Sequence, residues 1–343
     1  MEKYAVFGAG RIGTIHATNL AQHPHAQLAA VCDVDYACAE RLATKLDCKQ
    51  VIAEKIFTDQ SITGVLICSA THTHADLIEQ SVLAGKHVFC EKPVDLSLSR
   101  VRQCIARVTG SVSHVMVAFN RRFDPHFSHL QQRIMDNAIG AVELISIHSK
   151  DPAPPPLEYI RVSGGLFRDM AIHDLDMARH LLQEDIIAVN AQASCQVDPA
   201  IGAVGDVDTA IISLSTASGK LVQIANSRRT TYGYDQRIEV HGELGMLSTG
   251  NVVENMVTEY HTHGVTGALP MHFFLQRYAS SYRTELDTFI KVVQGEEVPY
   301  PGLNDGLQAL LLAEAAYLSW AEARTVNPQQ LQPTGSQYAT PNS

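Results

Sequence analysis

The feature that most constrains this chain is the turn Gly8-Ala9-Gly10-Arg11-Ile12-Gly13, which follows an apolar run at residues 4–7 and opens a helical pattern over 12–22. Glycines at this spacing permit a tight strand-to-helix turn and let a pyrophosphate approach the backbone at the positive end of the helix. The string alone also serves ordinary turns. The strand before it and the helix after it are what make it a dinucleotide-binding turn. Such a site calls for an acidic residue about 20 positions further on, and Asp33 directly follows a second apolar run at 28–32. A carboxylate there accepts hydrogen bonds from both adenosine-ribose hydroxyls. It repels a 2′-phosphate by up to about 4 kcal/mol at contact in a surface-like dielectric. Val34 and Asp35 come next and offer that phosphate no cation. NAD is therefore favoured over NADP, with Arg11 the one nearby cation able to swing towards the ribose.

The same rhythm continues. Apolar runs at 4–7, 28–32, 65–68, 87–90 and 115–119 alternate with helical patterns at 12–22, 36–46, 75–84 and 97–108. Runs apolar throughout suit strands covered on both faces, and their alternation with helices predicts βαβ units in a doubly wound parallel sheet, an α/β Rossmann domain. After residue 121 the pattern changes. A helix is expected over 124–137 and a strand over 142–148, followed by a break at Pro152-Ala153-Pro154-Pro155-Pro156. A helix over 166–182 is opened by Ser163-Gly164-Gly165. Strand candidates at 187–195, 209–215, 221–227, 237–241 and 252–260 follow, then helices near 272–294 and 302–324. Successive strands with short connections predict an α+β domain with a largely antiparallel open sheet. The expected division is 1–121 for the NAD-binding Rossmann domain and 122–325 for a substrate-binding and oligomerisation domain. The final helices could pack back on the first domain, and the Gln-, Pro-, Ser- and Thr-rich stretch 326–343 reads as a disordered tail.

With 343 residues, 45% of them hydrophobic and 18% charged, the chain has material for two ordinary cores. A net charge of −10 argues against a nucleic-acid partner, which needs clustered Lys and Arg. The pairs Arg121-Arg122 and Arg228-Arg229 are short and, as pairs usually are, expected on a solvated surface. Seven cysteines without a C-x-x-C pair suit reduced thiols. No apolar leader follows Met1-Glu2-Lys3, and the apolar stretch 307–321 is interrupted by Glu314. A cytoplasmic protein with no membrane partner is the expectation.

Three further places carry chemistry. Asp169 and His173 stand four apart on a predicted helix and share one face. A carboxylate beside a histidine orients the ring and favours its ionised form, which suits a general base. By spacing alone such a pair is commonly an exposed helix pair, and the preceding Gly164-Gly165 weighs modestly against that. Glu91-Lys92-Pro93 closes the run at 87–90, at the carboxyl end of a strand, where open α/β sheets bind ligands. An ammonium at Lys92 could reach a reacting oxygen there, although a surface lysine reads equally well. Ser69, Ala70, Thr71 and His74, after the run at 65–68, join Glu91 and Lys92 as further cofactor candidates beside Gly8, Gly10, Arg11, Ile12, Gly13 and Asp33. The chain has 16 histidines, but His72-Thr73-His74 and His261-Thr262-His263 lack partners at a zinc spacing, so no metal is expected. Cys90 reads as a small buried residue.

Taken together, the Gly8–Gly13 turn, Glu91-Lys92-Pro93 and the stretch from Gly164-Gly165-Leu166-Phe167-Arg168 through Asp169-Met170-Ala171-Ile172-His173-Asp174 resemble the glucose–fructose oxidoreductase/inositol dehydrogenase (Gfo/Idh/MocA) family. The resemblance runs from Gly8 to the helix near Leu312. Within the family, Ala118-Phe119-Asn120-Arg121-Arg122-Phe123-Asp124-Pro125 and Asn226-Ser227-Arg228-Arg229-Thr230-Thr231-Tyr232-Gly233-Tyr234-Asp235-Gln236 are similar to the inositol-oxidising members. It implies a catalytic set of Lys92, Asp169 and His173. His173 would take the hydroxyl proton, Asp169 would help orient the site, and Lys92 would steady the alkoxide as hydride passes to nicotinamide C4. Arg122, Asp151 and Tyr234 would hold other ring hydroxyls, together with Lys92, Asp169 and His173. The implied reaction is NAD-dependent oxidation of myo-inositol to 2-inosose, with another cyclitol or an aldose such as glucose as alternatives. A non-catalytic dinucleotide-binding regulator is the alternative of a different class, and it would have no chemical need for the trio. The family's open sheet commonly meets another subunit, which implies a homo-oligomer, a tetramer or dimer.

Overall fold

The computed structural model describes residues 1–331. They cluster into two units, Met1–Asn120 with Tyr282–Leu310, and Arg121–Ser281 with Leu311–Leu331. The first unit is built on β1 (Glu2–Phe7), α1 (Arg11–Ala21), β2 (Ala26–Cys32), α2 (Tyr36–Lys45), β3 (Lys49–Gln50), α3 (Ala53–Thr58), β4 (Ile62–Ile67), α4 (His74–Leu83), β5 (His87–Glu91), α5 (Leu98–Val108) and β6 (Val115–Ala118). The strands lie in the order β3-β2-β1-β4-β5-β6, every pair parallel. Strands with helices on both faces must be apolar throughout, and Tyr4–Phe7, Val65–Ile67 and Val88–Cys90 are indeed buried without interruption. Asp35 accepts from the Cys38 N–H to start α2, and Ser97 from the Arg100 N–H to start α5. The strand order reverses between β1 and β4, so a ligand crevice is expected outside their carboxyl ends. Gly8 stands at one of those ends and Cys68-Ser69 at the other. The short elements β3 and α3 are not visible as sequence patterns, because two and six residues give no period to read.

The second unit contains α6 (Pro125–Met135), β7 (Val142–Lys150), α7 (Leu157–Ser163), α8 (Ile172–Leu182), β8 (Ile186–Ser194), α9 (Pro199–Ala203), β9 (Thr209–Thr216), β10 (Leu221–Ser227), β11 (Asp235–Gly242), β12 (Gly245–Thr249), β13 (Thr258–His261), β14 (Gly264–Gly267) and α10 (Phe274–Arg277). Helices α11 (Ala279–Val293) and α12 (Leu303–Glu322) contribute residues to both units. A six-stranded sheet runs β12-β11-β7-β10-β9-β8. Only β7 and β10 are parallel in it; the other pairs are antiparallel. Ile145, Ile147, Ile212, Leu214, Val222, Ile224, Ile238 and Val240 are buried, and alternate with more exposed residues along their strands. This period of two marks a sheet covered on one face.

Three sequence expectations change. The strand expected over 252–260 is reduced to residues 258–260, which open β13. Val253 makes one isolated bridge to Pro270, and β13 and β14 form a separate exposed hairpin. The helix expected over 272–294 breaks at Tyr278 into α10 and α11. Val326, at the start of the expected tail, is buried and exchanges both backbone hydrogen bonds with Val189, whereas residues 332–343 of that tail lie outside the described residues. Among the described residues no helix is long and apolar enough to cross a membrane.

Candidate active site

The glycine turn shows why each glycine is needed. Gly8 has φ of +99°, and a Cβ on it would lie 2.5 Å from the Cys68 carbonyl oxygen at the end of β4. A Cβ on Gly13 would lie 1.9 Å from the Gly8 carbonyl oxygen. These two let the turn and the helix pack. A Cβ on Gly10 would meet no atom within 4 Å, so here the missing side chain leaves room for a ligand. Gly10 is also the N-cap of α1 and no side chain caps it, so the first-turn N–H groups face that space, the usual seat of an anion. Asp33 Oδ2 accepts from the Ala9 N–H at 2.6 Å and Oδ1 from the Asp35 N–H at 2.9 Å. Each carboxylate oxygen has a further lone pair, so Asp33 ties the turn down and can still receive ribose hydroxyls. Arg11 is exposed, Ile12 half-buried and Gly13 buried. The residues fit NAD.

Ser69, Ala70, Thr71 and His74 follow β4, and Glu91 with Lys92 closes β5. Ser69 Oγ is 2.7 Å from Thr73 Oγ1. The buried His74 ring lies between two carbonyls, with Nδ1 2.8 Å from Pro93 O and Nε2 2.9 Å from Ser69 O. Burial pushes its pKa down, so one proton serves one carbonyl at a time. His74 thus ties the β4 turn to the Lys92-Pro93 turn, whose peptide bond is cis. It is a strut in the wall of the cofactor side.

In the second unit, Phe167–Ala171 forms a π-turn, and α8 starts at Ile172. Asp169 sits in that wide turn and His173 in the first turn of α8, both half-buried. The continuous α-helix expected there is therefore interrupted, and a π-turn re-aims the side chains it carries. Asp169 Oδ1 accepts from the Tyr159 hydroxyl at 2.9 Å. The entry to the turn is also held. Gly164 and Gly165 have φ of +89° and +78°, and Asp206 Oδ1 accepts from the Leu166 N–H at 3.0 Å. Arg168 donates from Nη1 to the Gly164 carbonyl at 3.2 Å and from Nη2 to Glu314 Oε2 at 2.5 Å. Gly165 packs against Asp206, whose Oδ1 would lie 2.7 Å from a Cβ at that position.

Asp151 lies in the same neighbourhood. Burial first, and then the negative charge of Asp169, push its pKa up to about 7, against the pull of Arg121 and Arg228. Tyr234 is buried, and burial keeps its phenol neutral far above the usual range. Its ring meets Tyr278 edge-on at 5.9 Å. The structure thus brings Asp151, Asp169 and Tyr234 together around Arg121 and Asp174.

Arg121 and Arg122 overturn the expectation of a solvated pair. Both are buried. Arg121 pairs with Asp174, which also accepts from Asn226 Nδ2 at 2.8 Å. Arg122 donates from Nε and Nη2 to the two oxygens of Asp176 at 2.8 and 2.6 Å. A paired fork of this kind is a structural anchor for α8. Arg228 is likewise buried, 3.2 Å from Asp206, while Arg229 is exposed. Sequence reasoning missed Tyr159, Asp206 and the roles of Asp174 and Asn226. Their partners are 10 to 53 positions away, beyond any local motif.

A parallel nucleotide-binding sheet with an open glycine turn, joined to a mixed-sheet domain with Asp169 on a wide turn and His173 at the start of the helix after it, defines a two-domain dinucleotide-dependent oxidoreductase. Comparison with known proteins gives this class its family. Residues 2–119 match the NAD-binding Rossmann fold of the Gfo/Idh/MocA oxidoreductase family, and residues 131–327 match its C-terminal alpha/beta domain. The chain belongs to that family. It is 46% identical to the inositol 2-dehydrogenase of Rhizobium meliloti over 95% of this chain and 98% of that protein. It is 44% identical to the myo-inositol 2-dehydrogenase of Thermotoga maritima over 96% and 99%. It is also similar to a solved structure of scyllo-inositol dehydrogenase from Lactobacillus casei with bound NAD(H) and scyllo-inositol, with a TM-score of 0.88 and 28% identity over 96% and 100% of the two chains.

Proposed function

We propose that this protein oxidises a ring hydroxyl of myo-inositol to the ketone 2-inosose, with NAD as hydride acceptor. The observation that carries the reading is half-buried Asp169 on the π-turn and half-buried His173 in the first turn of α8, with a carboxyl near Asp169, that of Asp151, pushed up to about 7. His173 takes the hydroxyl proton as general base, and Asp169, held by Tyr159, orients the site. Lys92, at the end of β5, donates to the oxygen as it loses that proton. When bound, NAD receives the hydride leaving the same carbon, so one proton and one hydride account for the two hydrogens lost. Asp151 and Tyr234 hold neighbouring hydroxyls, Asp151 as donor or acceptor according to pH. A polyol suits this, because an unpaired polar group in a closed site costs about 1–3 kcal/mol. Close likeness over nearly full length to two inositol 2-dehydrogenases supports myo-inositol over other polyols. The likeness to a scyllo-inositol dehydrogenase makes scyllo-inositol the second candidate. The setting is proposed to be the cytoplasm, and the working form a homo-oligomer.

Initial rates of NADH formation from myo-inositol, scyllo-inositol, chiro-inositol and glucose test the substrate. myo-Inositol should give the highest kcat/KM, and a higher value for any other member of the panel reassigns it. Replacing His173 with Ala should lower kcat by roughly 10² to 10⁴ with NADH binding little changed. An unchanged kcat would refute the base.

A further inference from the structure

Glu91, the residue before Lys92, is gripped from behind. Its Oε1 lies 2.8 Å from Nε2 of His16, and that nitrogen lies 3.9 Å from Oε1 of Glu285. His16 comes from α1, three residues beyond Gly13. Glu91 ends β5 and Glu285 comes from α11. His16 and Glu285 are fully buried and Glu91 is half-buried. A carboxylate can only accept, so His16 Nε2 donates to Glu91. Among the described residues neither oxygen of Glu285 has a hydrogen-bond partner, nor has Nδ1 of His16. Beside the cluster stand the Phe89 ring, 5.0 Å from the imidazole, and the Tyr282 ring at 5.6 Å, with the Cys68 thiol near enough to Glu91 and Glu285 to feel both charges and the Cys90 thiol near Glu91.

A fully buried carboxyl with no donor is stable as the neutral acid. Burial, and then the charge of Glu91, push Glu285 well above the carboxylate range, and burial pushes both thiols well up. His16 therefore meets one anion, Glu91. A metal ion fits the same atoms poorly, although all lie within 4.8 Å of one another. Tetrahedral zinc with bonds of about 2.0–2.2 Å holds its ligand atoms about 3.4 Å apart, whereas the His16–Glu91 separation of 2.8 Å is that of a hydrogen bond.

We propose that His16 is a positioning residue. It fixes Glu91, and through it the peptide carrying Lys92, to the helix that begins at the dinucleotide turn. This rests on the role given to Lys92 in the proposed function. Three variants test it, with kcat for myo-inositol and NADH binding measured for each: His16→Leu, which fills the space without a donor, His16→Gln, which restores an N–H, and Glu285→Gln, a neutral isostere of the acid. His16→Leu should lower kcat by about 10- to 100-fold, the cost of a displaced reacting group, with NADH binding little changed and most of the loss recovered in His16→Gln. In a Lys92→Ala background His16→Leu should cost little more, because both act through one group. Independent, multiplying losses overturn the proposal, as does an equal loss in His16→Leu and His16→Gln. If His16→Leu does not fold, His16→Met, which also lacks an N–H donor, takes its place in both the His16→Gln comparison and the Lys92→Ala background. Glu285→Gln should retain turnover, and its loss together with a stoichiometric metal in the purified parent would make the cluster a metal site instead. Full turnover in Lys92→Ala alone would refute the role of Lys92 itself, an outcome distinct from additivity.

Discussion

At the scale of single residues, Asp151 has the most measurable chemistry. Its carboxyl titrates near 7 in the folded protein, and near 3.9 when the chain is unfolded. Between about pH 4 and 7 the unfolded chain loses this proton while the folded protein keeps it. The folded state then binds more protons, so stability falls as pH rises and levels off above 7. The loss from this group is at most roughly 4 kcal/mol, at about 1.36 kcal/mol per pH unit. Asp151→Asn cannot ionise. Its melting temperature relative to the parent, in the absence of ligand, should rise between pH 5 and pH 8. A constant difference would show that Asp151 titrates normally. Asp33 gives a second residue-scale prediction. Both its oxygens hold backbone N–H groups of the turn region, and only their remaining lone pairs face outward. Asp33→Ser should narrow the preference for NAD over NADP in kcat/KM and weaken binding of both, because the turn loses its tie at Ala9. Equal use of the two cofactors by the parent protein would refute the charge argument. Both aspartates were legible in the sequence, Asp33 from its distance to the glycines and Asp151 only through the family resemblance. The partners of Arg121 and Arg122 were not. Two adjacent arginines look the same whether solvent or Asp174 and Asp176 receive them, and those aspartates are more than 50 positions away.

Elements were legible in proportion to how strongly they repeat. The strands and long helices of the first unit follow the sequence pattern closely, because burial on both faces leaves an unbroken apolar run. The π-turn at Phe167–Ala171 was not legible, since one extra residue per turn barely disturbs a helical period, yet it sets where Asp169 and His173 point. The geometry of that turn depends on its entry. Gly165 adopts φ of +78°, and a Cβ there would stand 2.7 Å from Asp206 Oδ1, the atom that accepts from the Leu166 N–H. Gly165→Ala should therefore cost about 1–3 kcal/mol in unfolding free energy, from a left-handed non-glycine residue and a displaced carboxylate. It should also lower kcat more than it weakens NADH binding, because the displaced turn carries Asp169 and the glycine motif that binds dinucleotide is elsewhere. Wild-type stability in denaturant titration would mean that the turn accommodates a side chain without strain.

For the whole molecule, the open sheet of the second unit is the decisive surface. Strand pairing fixes which side chains share a face. Leu221 pairs with Leu144, Leu144 with His241 and His241 with Met246, so these four point the same way. Ile211 pairs with Ala225, two steps along β10 from Gln223 and four from Leu221, and joins that face. The opposite face holds the buried core. Leu221, Ile211, Met246 and Leu144 are 52%, 49%, 49% and 38% exposed, among Ser213, Ser215, Gln223 and Ser146. Glu239, Arg237 and Lys150 share this face further along the strands, which makes it a mixed apolar and polar surface, and a stable interface needs about 600–1,000 Å² from each partner. A six-stranded sheet with strands of five to nine residues supplies an area of that order. The homo-oligomer proposed above is thus expected to form through this face. Leu221→Glu puts a charge at the start of the central strand β10, on the apolar end of the face, where pairing against a second copy would bury like charges, and should shift the protein to smaller species in light scattering coupled to size exclusion. The melting temperature of the dissociated form should fall and lose the concentration dependence that mass action gives the assembled parent. Because Leu221 projects away from the core that supports Asp169 and His173, a subunit that remains folded should keep its dinucleotide binding. A parent protein that is already monomeric at micromolar concentration would remove the sheet face from the account, and leave its apolar residues as isolated surface side chains of the kind every protein carries.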